Sequence, residues 1–377
     1  MSGLVVLAAG GTGGHLFPAR ALAAELASRG WTLALVTDHR GAGFGESLGG
    51  VAVHTVRAAA VTGRGLLGRL GGLANVALGV LQARRLLARL KPSGVVGFGG
   101  YASVPAVLAA ALLGVPTVIH EQNAVLGRAN RLLAPRANAI ATSFAETSQI
   151  ALADQARAEH TGNPVRSEVA AIGETPYPAP QSGEALSILI TGGSQGAAVM
   201  TQVVPGALSS LSGLPSRHPL RVVQQCRPED MDSARAHYEA AGIEAEFAAF
   251  FDDLPARLGA AQLVIARAGA STVTELTAAG RPAILVPLPT ATDDHQSANA
   301  RTIEAAGAGW VMDQRDFTSE ALAARIAGLI AEPARLVEAA AHAKAAGNPQ
   351  AASCLADLVE RCIPANGDRS HTGEMAA

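Results

Sequence analysis

Two glycine-rich junctions hold the residues best suited to chemistry. Gly10-Gly11-Thr12-Gly13-Gly14-His15 follows the apolar run Leu4-Val5-Val6-Leu7-Ala8-Ala9. Gly192-Gly193-Ser194-Gln195-Gly196-Ala197 follows Leu186-Ser187-Ile188-Leu189-Ile190-Thr191. A buried parallel strand, a glycine turn and a helix start together offer backbone N–H groups and a positive dipole end to a phosphate. Two copies about 180 residues apart point to two similar α/β domains sharing one nucleotide. His15 stands inside the first turn, where an imidazole can move a proton beside a bound anion. The same histidine could instead cap or pack at a helix start. Neither junction has G-x-G-x-x-G spacing or the Lys-Ser/Thr ending of a P-loop, and a glycine turn after a strand also serves as an ordinary connection.

Other polar residues gather at expected strand carboxyl ends, where open α/β sheets bind their ligands. In the first half these are Tyr101, after Gly99-Gly100, and His120-Glu121-Gln122-Asn123, after Thr117-Val118-Ile119. In the second half they are Phe251-Asp252-Asp253, Arg267-Ala268-Gly269-Ala270-Ser271-Thr272 running into a helix with Glu275, and Asp293-Asp294-His295-Gln296. Two such sets, one per domain, would face each other across a cleft. The 120–123 run could equally be a turn whose side chains satisfy backbone groups. Glu275 could be plain surface or a partner for ribose hydroxyls. Asp230-Met231-Asp232 has metal-binding spacing, yet it follows Pro228 on what reads as an exposed helix. Cys226, Cys354 and Cys362 are too scattered for a metal site and suit a reducing compartment. No metal and no cofactor is expected.

Alternating strands and helices must position these groups. Strands are predicted at 4–9, 32–37, 51–56, 94–98, 116–119 and 138–142, with helices at 15–29, 75–90, 103–113 and 124–133. The second half repeats the pattern, with strands at 186–191, 220–224, 245–249, 262–265, 283–286 and 309–312. Its helices are predicted at 196–210, 229–241, 253–259, 271–279, 295–306, 319–330, 333–346 and 350–361. Such alternation argues for parallel sheets covered on both faces. Domains are expected at 1–163 and 164–346, with a helix at about 347–362 able to pack back onto the first and a disordered tail over 365–377. The Pro176, Pro178 and Pro180 stretch leads into the second half.

At 377 residues the chain suits two domains, and its surplus of Ala, Val, Leu and Gly suits close βαβ packing. A net charge of −2 gives no sign of a nucleic-acid partner. No signal peptide is read, and Gly114-Val115-Pro116 breaks the apolar stretch 104–119 into a short helix and strand rather than a membrane span. From Ser47 through His120 there is no acidic residue, whereas Arg57, Arg64, Arg69, Arg84, Arg85, Arg89 and Lys91 lie there. Among them Leu66, Leu67, Leu70, Leu73, Val76, Ala77, Val80, Leu81, Leu86 and Leu87 recur at roughly helical spacing, interrupted by Gly71-Gly72. A basic, acid-free amphipathic stretch suits an anionic lipid surface; it also suits a core-facing helix with a solvated edge.

Six motifs in register resemble the MurG family of bacterial glycosyltransferases. They are Gly10 to Ala19, His120 to Asn123, Gly162-Asn163-Pro164-Val165-Arg166, Gly192 to Ala197, Arg267 to Glu275, and Asp294 to Ala300. The resemblance runs from about residue 4 to about 312. It implies an α/β GT-B glycosyltransferase fold: two Rossmann-like domains with parallel sheets facing a central cleft, the acceptor in the first and most of the donor in the second. The implied reaction is inverting transfer of GlcNAc from UDP-GlcNAc to the C4 hydroxyl of MurNAc in undecaprenyl-diphosphoryl-MurNAc-pentapeptide (lipid I), giving lipid II and UDP.

Carried over motif by motif, the resemblance places UDP-GlcNAc contacts at Thr12, Gly13, Gly14, Asn123, Arg166, Ser194, Phe251, Ala270, Ser271, Thr272, Val273, Thr274, Glu275 and Gln296. His15 is the implied catalytic base, and the family's lipid acceptor gives the basic stretch a reason. The implied location is peripheral, on the cytoplasmic face of the cell (inner) membrane, with cell-wall synthesis proteins as possible partners. Phe251 departs from the family's usual aliphatic residue, and His295 stands where some relatives have a second glutamine. Rival readings are a UDP-GlcNAc 2-epimerase and a non-catalytic sugar-nucleotide-binding protein of wall synthesis; an NAD-dependent oxidoreductase is disfavoured by the glycine spacing and by Asp38, which does not end the second strand cleanly.

Overall fold

The computed structural model describes residues 3–10, 13–41, 50–58, 66–192, 198–211 and 219–363. Its contacts divide the chain into Met1–Arg166 with Gln350–Ala377, and Ser167–Pro349. Each unit is built on one wholly parallel sheet.

The first unit runs β1 (Leu4–Ala8), α1 (Gly13–Ser28), β2 (Thr32–Thr37), β3 (Ala52–Thr55), α2 (Leu66–Leu90), β4 (Gly94–Gly97) and α3 (Gly100–Leu112). It continues with β5 (Thr117–Glu121), α4 (Arg128–Leu133), β6 (Ala139–Thr142), α5 (Leu152–Gln155) and β7 (Ala158–His160). The sheet order is β3-β2-β1-β4-β5-β6-β7. Because side chains alternate along a strand, β1 sends Val6 and Ala8 into one core and Val5 and Leu7 into the other. The first core joins the sheet to α2, α3 and α4 through Ala83, Leu87, Val104, Val107 and Leu133.

The second unit runs α6 (Ser167–Gly173), β8 (Leu186–Thr191), α7 (Ala198–Leu211), β9 (Leu220–Gln225), α8 (Met231–Ala240), β10 (Glu244–Ala248) and α9 (Leu254–Ala260). Then come β11 (Leu263–Ala266), α10 (Ala270–Ala279), β12 (Ala283–Leu285), α11 (His295–Ala305), β13 (Gly309–Val311), α12 (Ser319–Ala331) and α13 (Ala334–Ala346). Its order, β10-β9-β8-β11-β12-β13, repeats the first six strands of the other sheet. Each order reverses direction at one point, between β1 and β4 and between β8 and β11. The crevice at the carboxyl ends of such a strand pair is where doubly wound sheets take ligands.

α14 (Ala351–Cys362) belongs to the first unit. Leu355, Ala356, Leu358 and Val359 bury against α1 and the sheet's second face. Arg29, just after α1, reaches Asp357 at 2.5 Å and Glu360 at 2.8 Å, and Trp31 Nε1 donates to Glu360 at 2.7 Å.

Several elements depart from the sequence expectation. α2 is continuous through Gly71-Gly72 and begins nine residues before the predicted position 75. Ala124 to Gly127 are not helical; the apolar run there is buried coil, and α4 starts at Arg128. Neither α5, β7 nor α6 was expected, since all are short and β7 is a mostly exposed Ala-Glu-His. The 365–377 tail lies outside the described residues.

Candidate active site

In the first unit the reversal point places the start of α1 beside the start of α3. His15 lies in the first turn of α1, half-buried, and its Nδ1 is 2.8 Å from Gln122 Oε1. Gln122, just past β5, is itself buried, and its Nε2 lies 2.9 Å from His120 Nδ1 and 3.0 Å from the His120 carbonyl. His120 has no exposure, and its Nε2 is 3.1 Å from the Gly162 carbonyl. Burial pushes the His120 imidazole down to about 4; the Gly162 carbonyl acts the other way and the nearby His15 adds to the lowering. His120 is therefore neutral near pH 7.

Gly100 borders the other edge of His15. Its φ is +68°, and a Cβ there would stand 3.2 Å from both Cδ2 and Nε2 of His15. A glycine satisfies the left-handed backbone and keeps a side chain off the Nε2 edge.

Glu121 organises the turn between these groups. Its buried carboxylate accepts from the Asn123 N–H and Asn123 Nδ2, each at 3.0 Å, and from the Gly127 N–H and Asn130 Nδ2, each at 2.8 Å. This side chain is spent on backbone order rather than on a ligand. Nothing in local spacing reveals that role, because Asn130 lies across the turn on α4. Arg166 stacks its guanidinium on Phe17 of α1 at 5.2 Å, which brings it to the same helix as His15.

In the second unit the reversal point carries α10, capped by Gly269. The first N–H groups of such a helix have no intrahelical acceptor. Ser271 Oγ is buried there without a hydrogen-bond partner among the described residues. Thr274 Oγ1 donates back to Ala270 O at 2.9 Å and Val273 points into the core, so those two side chains serve the helix, and Glu275 follows one residue on. Gln296 Oε1 accepts from the Leu288 N–H at 3.0 Å, tying the start of α11 to the 287–294 loop. His295 Nδ1 donates to the Thr292 carbonyl at 2.7 Å as a local cap. Asp293 and Asp294 precede it at φ +54° and +53°, a conformation that stores strain in non-glycine residues.

Arg267 is a brace, donating to the Val286 and Pro287 carbonyls at 3.0 and 3.1 Å and to Gln314 at 2.6 Å. The Phe251 ring is buried beneath the Arg257 guanidinium at 4.2 Å, which leaves its backbone for any ligand. Thr12 and Ser194 lie outside the described residues. Asp38 holds Arg40 at 2.6 Å and is almost fully buried, so it is engaged rather than presented to a ribose. Asp230 is paired with Arg227 at 2.6 Å, and among the described residues no three His, Cys, Asp or Glu side chains gather as metal ligands.

Residues 5–142 match the N-terminal domain of glycosyltransferase family 28, and 187–355 match its C-terminal domain. A relative from Rhodospirillum centenum is 57% identical over 94% of this chain and 93% of its own length. It is named UDP-N-acetylglucosamine–N-acetylmuramyl-(pentapeptide) pyrophosphoryl-undecaprenol N-acetylglucosamine transferase. The crystal structure of Acinetobacter baumannii MurG is 31% identical with a TM-score of 0.77, covering 95% of this chain and 99% of that one. The chain belongs to the MurG family. A UDP-GlcNAc 2-epimerase from Neisseria meningitidis aligns at a TM-score of 0.68 over 96% of this chain and 100% of its own, but at 13% identity; that likeness is one of fold. In this MurG-family chain the His15 cluster lies within the matched N-terminal domain, α10 and Gln296 lie within the C-terminal one, and Arg166 falls between them.

Proposed function

We propose that this chain is an inverting N-acetylglucosaminyltransferase. It moves GlcNAc from UDP-GlcNAc to the C4 hydroxyl of MurNAc in lipid I, yielding lipid II and UDP. The observation that carries this reading is the 57% identity, over nearly the whole of both chains, to a transferase of that name.

His15 takes the proton from the C4 hydroxyl as its oxygen forms a bond to the anomeric carbon. The bond from that carbon to the diphosphate oxygen breaks, and its electron pair leaves with UDP. The growing charge on UDP is met by Arg166, Ser194, the Gly13–Gly14 backbone after Thr12, and the amino end of α10 at Ala270, Ser271 and Thr272. Val273 and Thr274 hold that helix turn in shape. Glu275 binds the ribose hydroxyls, Phe251 offers its backbone to the uracil, and Asn123 and Gln296 bind the GlcNAc hydroxyls. Transfer proceeds without a metal or other cofactor.

No helix among the described residues is long and apolar enough to cross a membrane. The chain reaches its lipid-linked acceptor as a peripheral protein on the cytoplasmic face of the inner membrane. α2 supports this: Leu78 and Leu81 are 44% and 52% exposed beside exposed Arg84, Arg85 and Arg89. The described part of the leucine pattern is divided, because Leu86 and Leu87 belong to the core.

The deciding experiment follows radiolabelled GlcNAc from UDP-GlcNAc into a short-chain lipid I analogue, with and without EDTA. The expected outcome is EDTA-resistant formation of a β-1,4 disaccharide. Absence of transfer with UDP-GlcNAc still bound would instead favour epimerisation or binding alone.

A further inference from the structure

We infer that Gln122 and His120 are positioning residues that fix the His15 tautomer, placing its hydrogen on Nδ1 and an open lone pair on Nε2. This inference rests on the reading of His15 as the base and adds what makes it one. The argument starts from a group with no choice. The Gly162 carbonyl can only accept, so His120 Nε2, at 3.1 Å, must donate to it. A neutral imidazole carries one N–H, so His120 Nδ1 must accept, and the atom 2.9 Å away must be the Gln122 amide nitrogen. The same nitrogen faces the His120 carbonyl at 3.0 Å, a second acceptor that fixes the amide the same way round. Gln122 Oε1 is then turned to His15, where it can only accept, and His15 Nδ1 at 2.8 Å must donate. A flipped amide would set oxygen against carbonyl oxygen and require both His120 nitrogens to carry hydrogens in a site without exposure.

A hydrogen-bond direction set at a backbone carbonyl is thus passed through two buried side chains to the reactive ring. Gly100 completes the device. Its missing side chain keeps a Cβ from crowding the Nε2 edge that the chain of bonds makes basic. Fixing the partner of one ring nitrogen is the general means of choosing which nitrogen reacts.

The test is ring-nitrogen NMR on protein labelled with ¹⁵N-histidine, the His15 signals identified by their loss in His15→Gln. Wild-type His15 should show hydrogen on Nδ1 and an unprotonated Nε2. In Gln122→Met it should revert to the Nε2–H form that free imidazole side chains prefer, with kcat falling about tenfold or more and little change in the KM for UDP-GlcNAc. An Nε2–H signal in wild type, or a Nδ1–H signal that persists in Gln122→Met, would overturn the inference. If Gln122→Met does not fold, the wild-type spectrum alone decides. Failure of the base reading is separate: it would appear as full turnover in His15→Ala, whatever the tautomer.

Discussion

His15 and its neighbours show how few atoms separate an ordinary imidazole from a poised one. Removing the proposed base in His15→Ala should lower kcat by about a hundredfold or more, read by the transfer assay; unchanged turnover would remove it from that role. Burial of His120 has its own measurable effect. Its folded-state value of about 4 lies below the ordinary 6.5, so as pH falls the unfolded chain takes up this proton first. The group's contribution to stability is whole above about 6.5 and is lost between there and about 4, up to about 3 kcal/mol. Urea unfolding of the wild type should weaken across that window, and His120→Asn should weaken less; equal losses would refute the assignment. Glu275→Ala should raise the KM for UDP-GlcNAc with little effect on kcat, and a pure kcat effect would contradict a ribose role. The sequence offered His15, Gln122 and Glu275 through their place after strands. It could not show that Glu121 spends its carboxylate on the turn, because that depends on Asn130 returning to it on another element.

At the scale of elements, legibility followed apolar length. β1 and β8 each hold four successive buried residues and are plain in the sequence, while β7 is too short and polar to stand out. Gly71-Gly72 masks the first turns of α2 in the sequence pattern; Gly costs a helix only about 1 kcal/mol, which packing outweighs. This helix also carries the proposed membrane face. Replacing Arg84, Arg85 and Arg89 by Glu should reduce cosedimentation with anionic vesicles and leave transfer to a soluble acceptor analogue intact, whereas undiminished binding would place the membrane contact elsewhere. Arg281 shows a different use of charge. It is fully buried and gives its hydrogens to the carbonyls of Leu258, Gly259, Ala279 and Gly280, joining the ends of α9 and α10. Arg281→Met would strand those acceptors and should destabilise the second unit by about 3 kcal/mol or more. Trp310, on β13 of that unit, reports its unfolding by fluorescence; a midpoint equal to wild type would show the carbonyls to be satisfied otherwise.

For the molecule as a whole, the two units repeat one strand order and differ in how they are finished. The second is contiguous in sequence, whereas the first is completed by α14 from the far end of the chain. A chain ending at Pro349 should lose cooperative unfolding of the first unit, seen as exposure of Trp31, while the Trp310 transition persists. Retention of the Trp31 transition would show α14 to be dispensable. The arrangement also sets a schedule for synthesis. Ribosomes add roughly 5–20 residues per second, so the first unit waits roughly 10–40 s between emergence of its seventh strand and arrival of its last helix. During that interval the core lacks Leu355, Ala356, Leu358 and Val359, which complete it, and the second unit can close before it. His15, made early, therefore sits in a domain that is finished last, and nascent chains stalled after Pro349 should be the ones that engage chaperones.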